Sequence, residues 1–496
     1  MKVSAVVSSL LFLSVPVVVH SQDDRLDGLD AFVEQAMAEY GVPGASVVVV
    51  KDGVTAYSKG FGVRKVGTDL KVDEDTVFQL ASVTKTFTAA TVGIAVDKGE
   101  LEFDEPVVDV LPRFALHDPY PTRYTTVRDL LSHRTGLPAF TGDLFDHLGY
   151  SREEVVERIR FIEPACSFRE EANYSNIGFF LAGETAATAM GSSWEELVRA
   201  RLLGPLGMKR SGFTDTIETE SNAALPHGTL DGETRVVPYN KQGLLAAAGA
   251  MTSTASDMGH YMTMLLSEGS YEGTQVLSSE VVAEMMTPVM VEAPGFAELP
   301  PISAESGFDY GLAWGIFHWK NHRILEKGGA LDGMRSITVL VPELGLGVTV
   351  LANMNLTVLP EAVRAYVLEQ YLGDAEYDMQ AKIKESSKKI AEMLSFDPDT
   401  VAENPHSASL KLAGYAGTYE NELYGEITVI LKDGSLGVQA GPAQYAGTLS
   451  HVTYDTFHLS WPILINLPDE VNFVIDAEGN VREMITESMG TFRRVN

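Results

Sequence analysis

Apolar and polar positions change period along this chain, and each change marks a different kind of element. Residues 27–40 carry the spacing of an amphipathic helix. The run ASVVVVKDGVTAYSKGFG (45–62) predicts two strands joined at Lys51-Asp52-Gly53, a hairpin. From about 82 to 290 the pattern is mostly helical. Within it, SSWEELVRARLL (192–203) opens with a capping box, Ser193 with Glu196, and TASDMGHYMTMLLSEG (254–269) starts at Thr254 and stops at Gly269 as a capped helix should. Strand character returns at 310–319, 322–327, 335–342 and 345–354, punctuated by proline and glycine.

Strands at both ends of a helical block predict an α/β sandwich whose sheet uses both chain ends, with a helix-rich insert between them. Residues 374–409 are charged and then proline-bearing, which reads as a helix followed by a linker. From Gly414 onward short strands alternate with turns at 432–434 and 477–480, a small all-β domain forming a closed or nearly closed barrel.

The opening MKVSAVVSSLLFLSVPVVVHSQ has a single Lys2, an apolar run from Val3 to Val19 and small Ser21 before an acidic segment. That is the pattern of a secretory signal peptide cut near Ser21; a signal anchor is the rival, disfavoured by Pro16 and four serines within the run. No cysteine lies near the cut to carry a lipid, and no later stretch is apolar enough to span a bilayer. The expected organisation is therefore a signal peptide over 1–21, a main domain over 22–373, a linker over 374–410 and a barrel over 411–496. A single cysteine, Cys166, excludes an internal disulfide, and a buried inert thiol is its expected state. An exported chain without disulfides fits a bacterial periplasm or the medium better than a disulfide-stapled secretion. The net charge of −31 argues against nucleic acid and anionic lipid as partners.

Three polar clusters could carry chemistry. In FQLASVTKTFTAATVGIAVDKGEL (78–101), Ser82 stands where a strand-like run gives way to a helix, and Lys85 follows three residues on, on the same helical face. A serine there meets free backbone N–H groups and the positive end of the helix dipole, and a nearby lysine of lowered pKa can take its proton. The rival is a capping serine and a solvated lysine; Ser386-Ser-Lys-Lys389 repeats the spacing by chance in the charged helix. In FREEANYSNIGFFLAGE (168–184), Tyr174 and Asn176 flank Ser175 before an apolar helix, with Asn176 as a helix cap the plainer alternative. Tyr419-Glu-Asn421 matches that spacing inside the β-domain. In ILEKGGALDGM (324–334), a strand brings Lys327 to its end, and Gly328 and Gly329 admit close approach to the backbone or simply make a turn. No Gly-x-Ser-x-Gly elbow and no His-Glu-x-x-His or Cys/His cluster is present, so neither an α/β-hydrolase triad nor a metal or other cofactor is expected.

Taken in order, VFQLASVTKTFTA, TVRDLLSHRTGLP, ANYSNIGFFLAGE, YGLAWGIF and KGGALDG resemble the serine β-lactamase and penicillin-binding protein superfamily. The likeness is greatest to the branch of class C β-lactamases, D-stereospecific peptidases and esterases, over about 27–370; the tail from about 411 is similar to a lipocalin-like domain. The resemblance implies an antiparallel sheet flanked by helices, and an acyl-enzyme on Ser82. It makes Lys85 and Tyr174 the proton-handling groups, with Lys327 helping to ionise Tyr174 or binding a substrate carboxylate. Asn176, Gly328 and Gly329 would contact substrate, and the N–H groups of Ser82 and Ala330 would form the oxyanion hole. His133, in LLSHRTGLP, becomes a structural residue rather than a triad base. Many relatives carry histidine where Lys327 stands, and others a threonine where Gly328 stands, which weakens the expectation of β-lactam recognition. The implied substrate is a short peptide or amide, with an ester or a β-lactam as alternatives and a non-catalytic peptidoglycan- or peptide-binding protein as the rival class. The barrel is expected to narrow the cleft or support oligomers.

Overall fold

The computed structural model describes residues 23–230, 232–291, 308–373, 378–394, 406–462 and 469–495; the signal-peptide expectation lies outside them. Helix α1 (Leu29–Tyr40) is closed by Gly41 in the left-handed conformation. It leads into β1 (Gly44–Lys51) and β2 (Val54–Gly62), paired antiparallel. Asp52 and Gly53 both have positive φ, which makes the two-residue turn that matches strand twist.

The insert contains α2 (Thr84–Asp97), α3 (Asn176–Met190) and α4 (Ala255–Leu266), among shorter helices. The predicted capping box of Ser193 with Glu196 is present, and Thr254 caps α4. The chain then returns to the sheet as β3 (Asp309–Tyr310), β4 (Gly315–Trp319), β5 (His322–Leu331), β6 (Met334–Val341) and β7 (Leu346–Ala352). The strand order is β3-β4-β5-β6-β7-β1-β2, so the two chain ends meet where β7 pairs with β1.

Two expectations need correction. The run at 310–319 is a hairpin, not one strand: Gly311 donates its N–H to Trp314 O, Ala313 takes φ +72°, and Leu312 to Trp314 are buried beneath the insert. The strand expected to end at Lys327 continues through both glycines to Leu331. Its neighbour β6 supplies a full register, Lys327 opposite Thr338 and Gly329 opposite Ser336.

Alternation along β1 divides the sheet between two cores. Val48 and Val50 face the helical insert, whereas Val47 and Val49 face α1, α5 (Leu359–Leu372) and α6 (Met379–Leu394). On that second face the buried pairs Arg335–Glu361 and Arg364–Glu326 join α5 to the sheet. Arg364→Met leaves Glu326 without its counter-charge, an expected cost of about 3–5 kcal/mol. A thermal melt checks this; adding Glu326→Leu should recover most of the lost midpoint.

Helix α6 packs Met379 and Ile383 into that second core, so this part of the expected linker is anchored to the main body. Eight consecutive antiparallel strands from Gly417 to Arg494 close into a barrel, Tyr419 pairing with Arg494. Its interior is filled by side chains such as Ile427, Val438, Phe457 and Phe473. The chance motif Tyr419-Glu-Asn421 serves this barrel: Tyr419 donates to Tyr415 O, and Asn421 bonds Met489 O and Tyr424 N–H. Among the described residues, no helix is long and apolar enough to cross a membrane.

Candidate active site

Ser82 lies in a single 3-10 turn, Ala81–Val83, between the short strand Phe78–Gln79 and α2. Ala81 takes φ +50°, a left-handed backbone that a non-glycine residue adopts at a cost. The turn is pressed against β5: Ser336 donates its hydroxyl to Leu80 O at 2.6 Å, and a Cβ on Gly329 would fall 2.3 Å from that same oxygen. The glycine pair therefore sits inside a strand because the Ser82 turn occupies the space above it. A Cβ on Gly328 would meet only Ser336 O, at 3.9 Å.

At the second residue of α2, Lys85 is fully buried and its Nζ has three contacts. They are Asn176 Oδ1 at 2.6 Å, Ala248 O at 3.0 Å and Ser82 Oγ at 3.2 Å. It also lies over the Tyr174 ring at 4.8 Å and the Phe179 ring at 5.4 Å. Burial pushes its pKa down to about 7, against the pull of Asp143.

Tyr174 and Asn176 arrive together at the start of α3. The helix cap is Ser175, which accepts from Gly178 N–H, and not Asn176 as the plainer reading had it. Asn176 is thereby free to reach Lys85 with its oxygen and Asp143 Oδ2 with its nitrogen, the latter at 2.8 Å. Tyr174 shares a hydrogen bond with Ser82. Burial outweighs the lowering hydrogen bond from Ser82 and raises the Tyr174 pKa above the ordinary tyrosine value, the opposite direction from the one that an ionised Tyr174 needs.

Lys327 is also buried and stands 4.9 Å over the Tyr174 ring. Its Nζ donates to Tyr310 Oη at 2.8 Å, a partner the sequence reading did not single out. Burial and the nearby Lys85 lower its pKa well below the lysine norm. His133 lies beside Tyr174, ring centroids 4.7 Å apart and planes tilted by 30°. Its Nδ1 accepts from Ser175 N–H at 2.9 Å, which leaves the hydrogen of the neutral ring on Nε2, 3.2 Å from Tyr310 Oη. His133 thus holds the Tyr174–Ser175 turn, as a structural residue would.

The structure brings Ser82, Lys85, Tyr174, Asn176, Lys327 and the 328–330 strand into one cluster. Asp143, Tyr310 and the Ala248 carbonyl complete it. Only Tyr310 had a visible signal, lying in YGLAWGIF. Cys166 lies apart and is half-exposed rather than fully buried; Asn173 donates to its sulfur at 3.3 Å, and its partial burial raises the thiol pKa. The chance serine pair at 386–387 lies on α6.

The barrel packs against residues 142–147, next to this cluster. Tyr424 Oη accepts from Gly142 N–H at 3.1 Å, and Tyr445 stacks on His147 at 4.9 Å and on Trp461 at 5.2 Å.

Residues 29–372 match the family model described as beta-lactamase, and residues 401–494 match a domain of unknown function, DUF3471. The chain is 26% identical to an unguisins hydrolase of Aspergillus violaceofuscus, over 87% of this chain and 82% of that protein. It is 30% identical to penicillin-binding protein 4 of Amycolatopsis lactamdurans, over 64% of this chain and 82% of the other. An octameric penicillin-binding protein homologue from Pyrococcus abyssi superposes with TM-score 0.62 at 23% identity, covering 94% of this chain and all of that one. A class C beta-lactamase from Rhodobacter sphaeroides does so with TM-score 0.57 at 23% identity, over 70% of this chain and 99% of its own. With the family model spanning most of its length, this chain belongs to the beta-lactamase family, a family of serine hydrolases.

Proposed function

We propose that this protein is an exported serine hydrolase that forms an acyl-enzyme on Ser82 and acts on short peptides or amides. The observation that carries the reading is the set of contacts at Lys85 Nζ. With its pKa at about 7, a large share of the amine, roughly half, is neutral at pH 7. Two acceptors, Asn176 Oδ1 and Ala248 O, take its two hydrogens, and the lone pair is left for Ser82 Oγ. Ser82 then gives its proton to Lys85 as Oγ bonds to the acyl carbon. Tyr174, neutral and bonded to Ser82, hands a proton to the departing amine and takes one from the Lys85 ammonium, so the protons balance. Water repeats the attack in reverse order and frees Ser82. The N–H groups of Ser82 and Ala330 would hold the oxyanion.

A second reading, an esterase, is favoured by what lies around Lys327. Its Nζ is engaged by Tyr310 and its charge is disfavoured by burial, and Gly328 offers no hydroxyl. Both features weaken an anchor for a substrate carboxylate, which places β-lactams third. A fluorophosphonate probe tests the whole reading, and with it the rival of a non-catalytic binding protein: mass spectrometry should find the adduct on Ser82, and none in Ser82→Ala. An unlabelled, folded wild-type protein would sink it.

The sign of the pH dependence follows. A lysine with a lowered pKa is charged, and useless as a base, below that value. Acylation should therefore climb as pH rises through about 7 and then level, since Tyr174 stays protonated across the range. Single-turnover acylation of a p-nitrophenyl ester measures it.

A further inference from the structure

Asp143 plays no part in the chemistry described so far, yet its carboxyl is enclosed beside it. One oxygen, Oδ2, accepts from Asn176 Nδ2 at 2.8 Å; the other, Oδ1, is buried without a hydrogen-bond partner among the described residues. A half-satisfied buried carboxyl costs stability. Its loop is nonetheless held in place from two sides. Tyr424 of the barrel accepts from the preceding Gly142 N–H, and a side chain at 142 would strike Ile177 of α3 at 2.7 Å.

We infer that Asp143 is a positioning residue: it fixes which end of the Asn176 amide faces Lys85 and so keeps the Lys85 lone pair on Ser82. The inference rests on the reading of Ser82 and Lys85 given above. A carboxylate has only acceptors, so it can bond only the nitrogen end of the amide. That leaves Asn176 Oδ1 toward Lys85, where it stands at 2.6 Å and binds one of the amine's hydrogens. A protonated Asp143 can donate as well as accept, and the amide is then free to turn. With its nitrogen toward Lys85 the amide would offer hydrogens where the amine needs an acceptor, and the lone pair would swing off Ser82.

The ionisable groups around the carboxyl are Lys85 on α2, Tyr174 ahead of α3, Tyr424 of the barrel and Asp146 in the short helix Phe145–Leu148 that follows. Burial pushes Asp143 up to about 7, assisted by Asp146 and opposed by Asn176 and Lys85. Competence then requires a charged Asp143 and a neutral Lys85, two groups that titrate together.

The test is the pH profile of acylation by a p-nitrophenyl ester in wild type, Asp143→Asn and Asp143→Ala, with thermal midpoints measured alongside. The wild-type acid limb should be steeper than a one-proton limb. Asp143→Asn removes both the acceptor-only partner and the charge facing Lys85. Its limb should become a one-proton limb, move down by about one pH unit, and reach a plateau about tenfold lower. Asp143→Asn is near-isosteric, so it carries the test even where Asp143→Ala fails to fold. A limb unchanged in place and steepness, whatever the plateau, would mean structural support only and overturn the inference. Failure of the wild-type protein to take up the serine probe would instead sink the functional proposal, so the two failures are distinguishable.

Discussion

Lys85→Met should lower kcat by about 10³–10⁴-fold, and Lys85→Arg should be no better. The arginine variant separates two ways in which a buried cation could matter. Arginine keeps positive charge and adds donors, but it stays protonated at any pH at which the protein is folded. If position 85 supplied only charge, arginine would restore part of the activity. If it must accept the Ser82 proton, arginine fails as completely as methionine. The contacts favour failure, since Nζ already has carbonyl-type acceptors at 2.6 and 3.0 Å and its remaining direction is Ser82 Oγ. Burst-phase acylation reports the chemical step directly, and a thermal melt shows whether each variant folds. An arginine variant within about tenfold of wild type would remove Lys85 from the base role.

Gly329→Ala should cost about 10²–10³-fold in kcat, a loss comparable to that of an oxyanion donor. Its Cβ would lie 2.3 Å from Leu80 O, 2.4 Å from Ser336 Oγ and 3.0 Å from Ser82 N. The first and last of these are backbone atoms of the nucleophile's own turn, so relief requires β5 or the turn to move. Either movement separates the N–H groups of Ser82 and Ala330. At Gly328 the same substitution meets only Ser336 O at 3.9 Å and should cost far less. Steady-state kinetics of the two alanine variants on one ester decide it; equal activities would show that the close approach is not needed for turnover.

The helical cap at Ser193 and the turn at Lys51-Asp52-Gly53 are local consequences of residue type, and both were readable from the chain. So were the pairings that depend on a few residues, such as Ser82 with Lys85 on one helical turn. Which valines of β1 face which core was not readable. Distance along the chain hid the rest. Asp143 has no motif, because its meaning comes from Asn176, 33 residues on, and from a barrel tyrosine 282 residues beyond Gly142. The glycines at 328 and 329 could be read as a turn or as a close approach, and only the packing of the Ser82 turn onto β5 decided between them.

The charge states were decided the same way. A phenol between two lysines reads, on paper, as an easily ionised base. In the folded chain the lysines are themselves stripped of water, so burial weakens the charges that were to stabilise a phenolate while raising the Tyr174 pKa directly. What the order of residues determined was which groups could meet: a hydroxyl, two amines, a phenol and an amide, in an order that matches one family. What tertiary structure alone decided was which group holds the proton, because desolvation and hydrogen-bond direction belong to the enclosed site and to no single stretch of chain.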